Sequence, residues 1–396
     1  MSKLIVIDET ADTRIPFLRG MLTKSLQRSG LEFVDAYRLA SEIREDLDEL
    51  DTVTTGDLRQ RIADALEEDY PDVVLRRYQK QTPYTEPIEV VDESGQEQPF
   101  SRGTFSKRLM GCGMPMDLYG TVTREIHDYL IDHQIRKVTT RKLIALTYRS
   151  LRTNATQRSA DQYLIWCDFN RKGTPLIILI GGVPGSGKST IATELAGRLS
   201  IVRTQSTDML REVMRALIPK RVSPSLHESS FNAGKVQYRS AMRKTKNLDL
   251  LIGGYQTQSD MVAVACESVL SRAVNERVSL ILEGVHMRPG LFKRFDKTVD
   301  AVVVPVILAV LQQKRLKENL RGRAGEKRAA KRYLDHFDEI WQLQTAILSD
   351  ADAADIEIVD AVDIDESVTE ICKMVTDTIA VRYKGKIKAL RSQYEV

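Results

Sequence analysis

The chain has 396 residues, long for one hydrophobic core, so two or three domains are expected. A net charge of +3 over that length makes no broad basic surface for nucleic acid, and an aromatic content of 6% offers little for base stacking. Cys112, Cys167, Cys266 and Cys372 form no close pair for a metal or redox centre, no apolar run nears the roughly 20 residues of a membrane span, and the acidic N-terminal run is no signal peptide; a reduced, cytoplasmic protein is expected.

In chain order, the first feature is a repeat. Pro16-Phe17-Leu18-Arg19-Gly20 recurs as Pro99-Phe100-Ser101-Arg102-Gly103. Thr23-Lys24 recurs as Ser106-Lys107, Gly30 as Gly113 and Glu42-Ile43 as Glu125-Ile126, all at one offset. Val53-Thr54-Thr55 recurs as Val138-Thr139-Thr140 slightly further on. Each copy opens with a short β segment, Leu4 to Asp8 or Pro87 to Val91. Leu18, Leu22 and Leu26 then share one helical face, as do Leu39, Ile43 and Leu47. The Val-Thr-Thr triplets read as an extended entry into a third helix, with threonine as N-cap. Residues 1–80 and 84–168 are therefore expected to be two copies of one small, mainly helical unit, with a hairpin loop at Asp92 to Glu97 in the second.

The pattern changes near Thr174. Leu176 to Ile180, Ser279 to Leu282, Val302 to Leu308 and Ile356 to Val359 are apolar runs separated by helical stretches. Strands buried on both faces and alternating with helices predict an α/β domain with a parallel sheet over residues 172–396, ending in a helix and basic tail from Thr378 to Val396.

That domain carries the chemistry. Gly182-Val183-Pro184-Gly185-Ser186-Gly187-Lys188-Ser189 matches the GxxxxGK[ST] phosphate loop, after a buried strand and before a helix. Its glycines let backbone N–H groups turn toward phosphates, and the helix start adds positive potential. Gly182, Gly185, Ser186, Gly187, Lys188, Ser189 and Thr190 are thus the expected ATP contacts, with Lys188 on the β and γ phosphates and Ser189 on Mg²⁺.

Thr204 to Asp208 stands where a second strand would end. Asp208 is expected to orient or deprotonate an acceptor hydroxyl, or to hold Mg²⁺ through water; the bland alternative is a helix cap. Arg211 and Arg215, one turn apart, suit an anionic acceptor, or else lie solvated. His227, in a hydroxyl-rich loop from Ser223 to Ser230, is a further candidate acceptor contact. Glu283 ends a central strand, where it can hold metal-bound water or act as base, and His286 follows as an acceptor contact; a structural ion pair is the alternative for Glu283. From Lys317 to Arg332 runs a basic segment with Arg321, Arg323, Arg328 and Arg332 between two helices, where a phosphotransferase has its lid, or else a solvated helix face; the sequence does not decide which arginine is catalytic, and Arg323 stands as the candidate.

Taken together, residues 181–192, 206–215, 226–231, Glu283-Gly284-Val285-His286 and Arg332-Tyr333-Leu334-Asp335-His336-Phe337 resemble the 2-phosphoglycerate kinase family. Pro16 to Gly20 with Asp35-Ala36-Tyr37 is similar to the ATP-cone region that precedes the kinase domain there, though this chain carries it twice. The resemblance implies a P-loop kinase domain behind two ATP-cone-like repeats, ATP and Mg²⁺ as cofactors, and 2-phosphoglycerate as acceptor. An inositol phosphate or another phosphorylated metabolite is the alternative acceptor, and an ATP-binding regulatory protein with vestigial catalysis the alternative class. A small phosphorylated metabolite is the expected partner, with neither nucleic acid nor membrane, and a homo-oligomer is compatible with the sequence.

Overall fold

A computed structural model of the chain describes residues 4–8, 13–48, 50–79, 88–133, 135–237, 247–295, 300–322 and 327–394. The chain divides into two compact units: Met1–Val90 with Glu97–Pro99 and Tyr129–Val138, and Val91–Gln96 with Phe100–Asp128 and Thr139–Val396.

The first sequence copy runs β1 (Ile5–Asp8), β2 (Thr13–Pro16), α1 (Arg19–Arg28), α2 (Phe33–Asp46), β3 (Thr52–Thr54), α3 (Thr55–Asp69) and α4 (Asp72–Gln79). β1 pairs antiparallel with β2 and parallel with β3. Leu22, Leu26, Leu39, Ile43 and Leu47 fill its core, as their spacing predicts. Leu18 does not join them. The helix begins at Arg19, so Leu18 is an extended N-cap and lies exposed.

The second copy repeats the order: β4 (Glu89–Val91), β5 (Glu97–Pro99), α5 (Arg102–Gly111), α6 (Met116–Asp132), β6 (Lys137–Thr139), α7 (Thr140–Asn154) and α8 (Gln157–Lys172). The two small sheets have matching orders, β2-β1-β3 and β5-β4-β6. Thr54 and Thr139 cap α3 and α7, accepting from the N–H groups of Asp57 and Lys142. The next threonines, Thr55 and Thr140, donate to the carbonyls of Ile7 and Val91. The Thr-Thr pair thus caps a helix and ties it to its sheet in both copies, each cap contributing about 1 kcal/mol. The hairpin expected at Asp92 forms, with Asp92 accepting from the N–H groups of Ser94 and Gln96.

The remaining chain runs β7 (Leu176–Gly181), α9 (Lys188–Leu199), β8 (Arg203–Ser206), α10 (Thr207–Leu217), a 3-10 turn (Ser225–His227), α11 (Ala233–Gln237), α12 (Asn247–Asn275), β9 (Leu280–Glu283), α13 (Pro289–Phe295), β10 (Val302–Ala309), α14 (Gln313–Arg321), α15 (Lys327–Asp335), α16 (Phe337–Ala353), β11 (Ile358–Asp360), α17 (Ile364–Val381) and α18 (Ile387–Tyr394). The five strands are parallel, in the order β11-β10-β7-β9-β8. β7 is central and buried throughout, which is why it reads as an unbroken apolar run. The sheet order reverses beside β7, and such a switch point leaves a crevice at the strand C-termini. The single terminal helix expected from Thr378 is two helices: α17 stops at Val381, and Gly385 (φ +80°) sits in the turn before α18.

Within the larger unit, helices of the second copy pack on the α/β layer, α5 against α9 and α8 against α17. Gly111 permits a close approach there: a Cβ would stand 3.0 Å from the Arg198 carbonyl oxygen, a tight contact. Asp377 accepts from Arg158 and Gln162, and Asp161 pairs with Arg391. Asp168 is 2% exposed, pairs with Arg171 and Lys172, and accepts from the Tyr383 hydroxyl at 2.8 Å. Hydrogen bonds from those three groups hold its carboxyl below the ordinary carboxylate range against the opposing pull of burial, the largest single influence. Among the described residues, no helix is long and apolar enough to cross a membrane.

Candidate active site

Three strand ends build the site. At the first, β7 runs into the loop Gly182–Gly187 and then α9. Gly182, Gly185 and Gly187 all have positive φ, and a Cβ on Gly182 would lie 2.4 Å from the Leu308 carbonyl oxygen. The loop can close this tightly only with glycine. Gly187 is the N-cap of α9 and offers no side-chain acceptor, so the first N–H groups of that helix are uncapped by side chains. The Ser186 hydroxyl is fully buried without a partner. Lys188 is buried and donates to the Val183 carbonyl at 2.8 Å, inside the loop, while Ser189 and Thr190 lie exposed at the open face. Uncapped helix N–H groups, a buried cation and an orphan hydroxyl around one concave backbone suit a polyphosphate.

The second end is that of β9. Its pairing with β7 and β8 brings Glu283 level with Ile180 and Ser206. Glu283 is 5% exposed and accepts from the Ser189 hydroxyl at 3.0 Å. A hydroxyl and a carboxylate in contact are hard oxygen donors of the kind Mg²⁺ takes. Among the described residues no cluster of three or more His, Cys, Asp or Glu forms a cage, so this pair fits an ion that is held in part by phosphate and water.

The third end is that of β8. Ser206, rather than Asp208, caps α10, accepting from the Asp208 N–H. Asp208 is thereby released from the capping role and is largely exposed. Arg211 is mostly buried, and its Nη1 donates to the carbonyls of Leu226 and Glu228 at 2.9 and 2.8 Å. It fastens the loop after α10, whose backbone carbonyls need donors. Arg215 pairs with both oxygens of Glu212, and its Nε is buried without a partner. His227 Nε2 donates to the Ile218 carbonyl, which turns this ring into the loop's own structure.

His286, expected to touch the acceptor, is 1% exposed and enclosed by protein. Its Nδ1 lies 2.9 Å from the Thr207 hydroxyl and its Nε2 3.2 Å from Gln258 Oε1. Burial pushes its pKa down to about 4; Asp208 opposes the shift, and Arg211 and Lys188 add to it. Thr207 and Gln258 were not singled out by the sequence. Thr207 had a signal in the Ser-Thr-Asp phrase, whereas Gln258 lies in the middle of a long helix with no local mark. Asn319 was also missed: it donates to the Gly185 carbonyl, and Leu316 and Leu320 of α14 pack on that same glycine, so α14 rests on the phosphate loop. Arg321 ends α14, and Arg332 lies over the Tyr333 ring in α15; Arg323 falls outside the described residues.

A family model described as an AAA domain matches residues 177–343. A 2-phosphoglycerate kinase of Pyrococcus furiosus is 33% identical over 305 residues, covering 76% of this chain and 97% of that protein. The 2-phosphoglycerate kinase of Thermococcus kodakarensis is 34% identical over 277 residues, covering 69% and 91%. Among solved structures, a gluconokinase from Sinorhizobium meliloti 1021 overlaps 54% of this chain and 95% of its own at 16% identity, with a TM-score of 0.30, too low to carry an argument.

Proposed function

The chain belongs to the 2-phosphoglycerate kinase family, and from that premise we propose that it transfers the γ-phosphoryl of ATP to the hydroxyl of 2-phosphoglycerate, giving 2,3-bisphosphoglycerate. Kinases of this family use ATP and Mg²⁺. The observation that carries the reading is the contact between the Ser189 hydroxyl and the Glu283 carboxylate beside the glycine loop. It joins the two oxygen donors a nucleotide-bound Mg²⁺ needs at the mouth of a phosphate cradle.

The bound nucleotide and its metal supply the phosphoryl group and neutralise charge on it. Loop N–H groups and the start of α9 hold the phosphates, and Lys188 balances their charge. Ser189 and Glu283 hold the metal or its water. Asp208 orients the acceptor hydroxyl and takes its proton. Arg211 shapes the acceptor loop and, with Arg215, sets a positive potential for an acid that is already phosphorylated. His227 belongs to that loop, and an arginine of the basic segment, with Arg323 the candidate from the sequence, would neutralise charge on the transferring group.

Residues 1–80 and 84–168 are read as two ATP-cone-like modules and 172–396 as the kinase module, supported by the matched element order of the two copies. Four free cysteines fit a cytoplasmic location, and a homo-oligomer is compatible with this reading.

An ADP-release screen against 2-phosphoglycerate, 3-phosphoglycerate and inositol phosphates, with the product weighed by mass spectrometry, tests the acceptor. Product from 2-phosphoglycerate alone is expected, and Lys188→Ala should abolish it. If no acceptor speeds ADP formation, the enzyme reading fails in favour of a regulatory one.

A further inference from the structure

The buried side chains between the strand ends form one continuous line of hydrogen bonds. Gln258, on α12 and 0% exposed, directs its Nε2 at two carbonyls, those of Ser225 (2.5 Å) and Glu228 (3.0 Å). That fixes the amide's orientation, because the reverse would set its oxygen against two oxygens. Gln258 Oε1 is therefore an acceptor facing His286 Nε2, and His286 must carry its proton there. Nδ1 is left as an acceptor, and the Thr207 hydroxyl, 0% exposed, donates to it. Gly284 makes the space for that hydroxyl: a Cβ there would fall 1.8 Å from Thr207 Oγ1. Asp208 Oδ1 lies 3.8 Å from the same Nδ1, a place it could bond only if the ring were protonated.

We propose that Thr207, His286 and Gln258 are positioning residues, a relay that locks the start of α10 to the acceptor loop and, by filling His286 Nδ1, leaves Asp208 free for the acceptor hydroxyl. The proposal rests on the reading of Asp208 given above. It accounts for the spacing in Glu283-Gly284-Val285-His286: an oxygen ligand at the loop, a glycine that admits the threonine, and a ring nitrogen that accepts the threonine's hydrogen bond. It also assigns one element to each end of the line. Thr207 opens the helix that carries Asp208, and Gln258, with Arg211, holds the Ser225 to Glu228 backbone; the Glu228 carbonyl accepts from both.

Two measurements test it. The first is the His286 ring tautomer, read from ¹⁵N imidazole shifts of the full chain at neutral pH, with His286→Asn to assign the signal. The Nε2–H tautomer is expected, and an Nδ1–H ring would overturn the relay. This needs no acceptor, so it stands apart from any failure of the acceptor assignment. The second is a set of steady-state constants. Thr207→Val should lower kcat/KM for the acceptor at least tenfold while leaving KM for ATP within twofold, and Thr207→Ser should recover to within about threefold of wild type. Equal acceptor kinetics in Thr207→Val and wild type would overturn it, as would equal losses in the valine and serine variants.

Discussion

Gly30 and Gly113 occupy the same position in the two copies, and alanine at each should have very different effects. Both have positive φ, +105° and +70°, so each alanine costs about 1–2 kcal/mol in backbone strain. Their neighbours differ. A Cβ on Gly113 would lie 2.8 Å from the backbone nitrogen and 2.9 Å from the Cα of Lys373, inside α17. A helix backbone cannot step aside without dragging its own packing, and overpacking of this kind adds about 1–3 kcal/mol. A Cβ on Gly30 would meet only Nη1 of Arg77 at 2.9 Å, the far end of a flexible side chain that can swing away. Gly113→Ala should thus cost about 2–5 kcal/mol and Gly30→Ala about 1–2 kcal/mol. The assay can also separate the units, because both tryptophans, Trp166 and Trp341, belong to the larger one. Urea unfolding followed by tryptophan fluorescence should show a lowered midpoint in Gly113→Ala and an unchanged one in Gly30→Ala, whose loss should appear by far-UV circular dichroism. Equal losses of unfolding free energy in the two variants, read by fluorescence for Gly113→Ala and by circular dichroism for Gly30→Ala, would refute the reasoning, since the difference expected between them rests on the neighbour.

Two further outcomes are expected. Glu283→Gln keeps the shape of the contact with Ser189 but removes the charge, and should lower kcat by on the order of 100-fold with the fold intact; wild-type turnover in that variant, measured by coupled ADP release, would remove Glu283 from the metal site. Asp168, whose folded pKa is depressed, contributes stability that is present above the unfolded carboxylate pKa of about 3.9 and is lost as pH falls through its folded value. Asp168→Asn should therefore be less stable than wild type at neutral pH, and the gap should narrow in acid; a gap constant from pH 7 to pH 3 in thermal unfolding would contradict the pairing with Arg171, Lys172 and Tyr383.

Much was legible in the sequence where the cause is local. The phosphate loop lies in eight consecutive residues, and its glycines, lysine and serine need only each other and the helix they begin. The buried runs at Leu176 and Val302 mark parallel strands because both faces of such a sheet are covered. Thr54 and Thr139 could be read as caps because a cap acts on the amide three residues on. The repeat was legible as a repeat, although its hairpin strand β2 was not, since a four-residue edge strand has little periodicity.

The tertiary structure decided which side chains meet. Ser189 and Glu283 are 94 residues apart in the chain, and only the β7–β9 register brings them together. Asp208, Arg211 and His286 were all singled out in the sequence, yet the fold gives them different standings. Ser206 relieves Asp208 of capping, loop carbonyls claim Arg211, and Thr207 and Gln258 engage both ring nitrogens of the buried His286. A sequence shows which groups are able to donate, accept or carry charge. Whether each meets water, a ligand or a backbone carbonyl depends on contacts between segments distant in the chain, and those exist only once the sheet has formed.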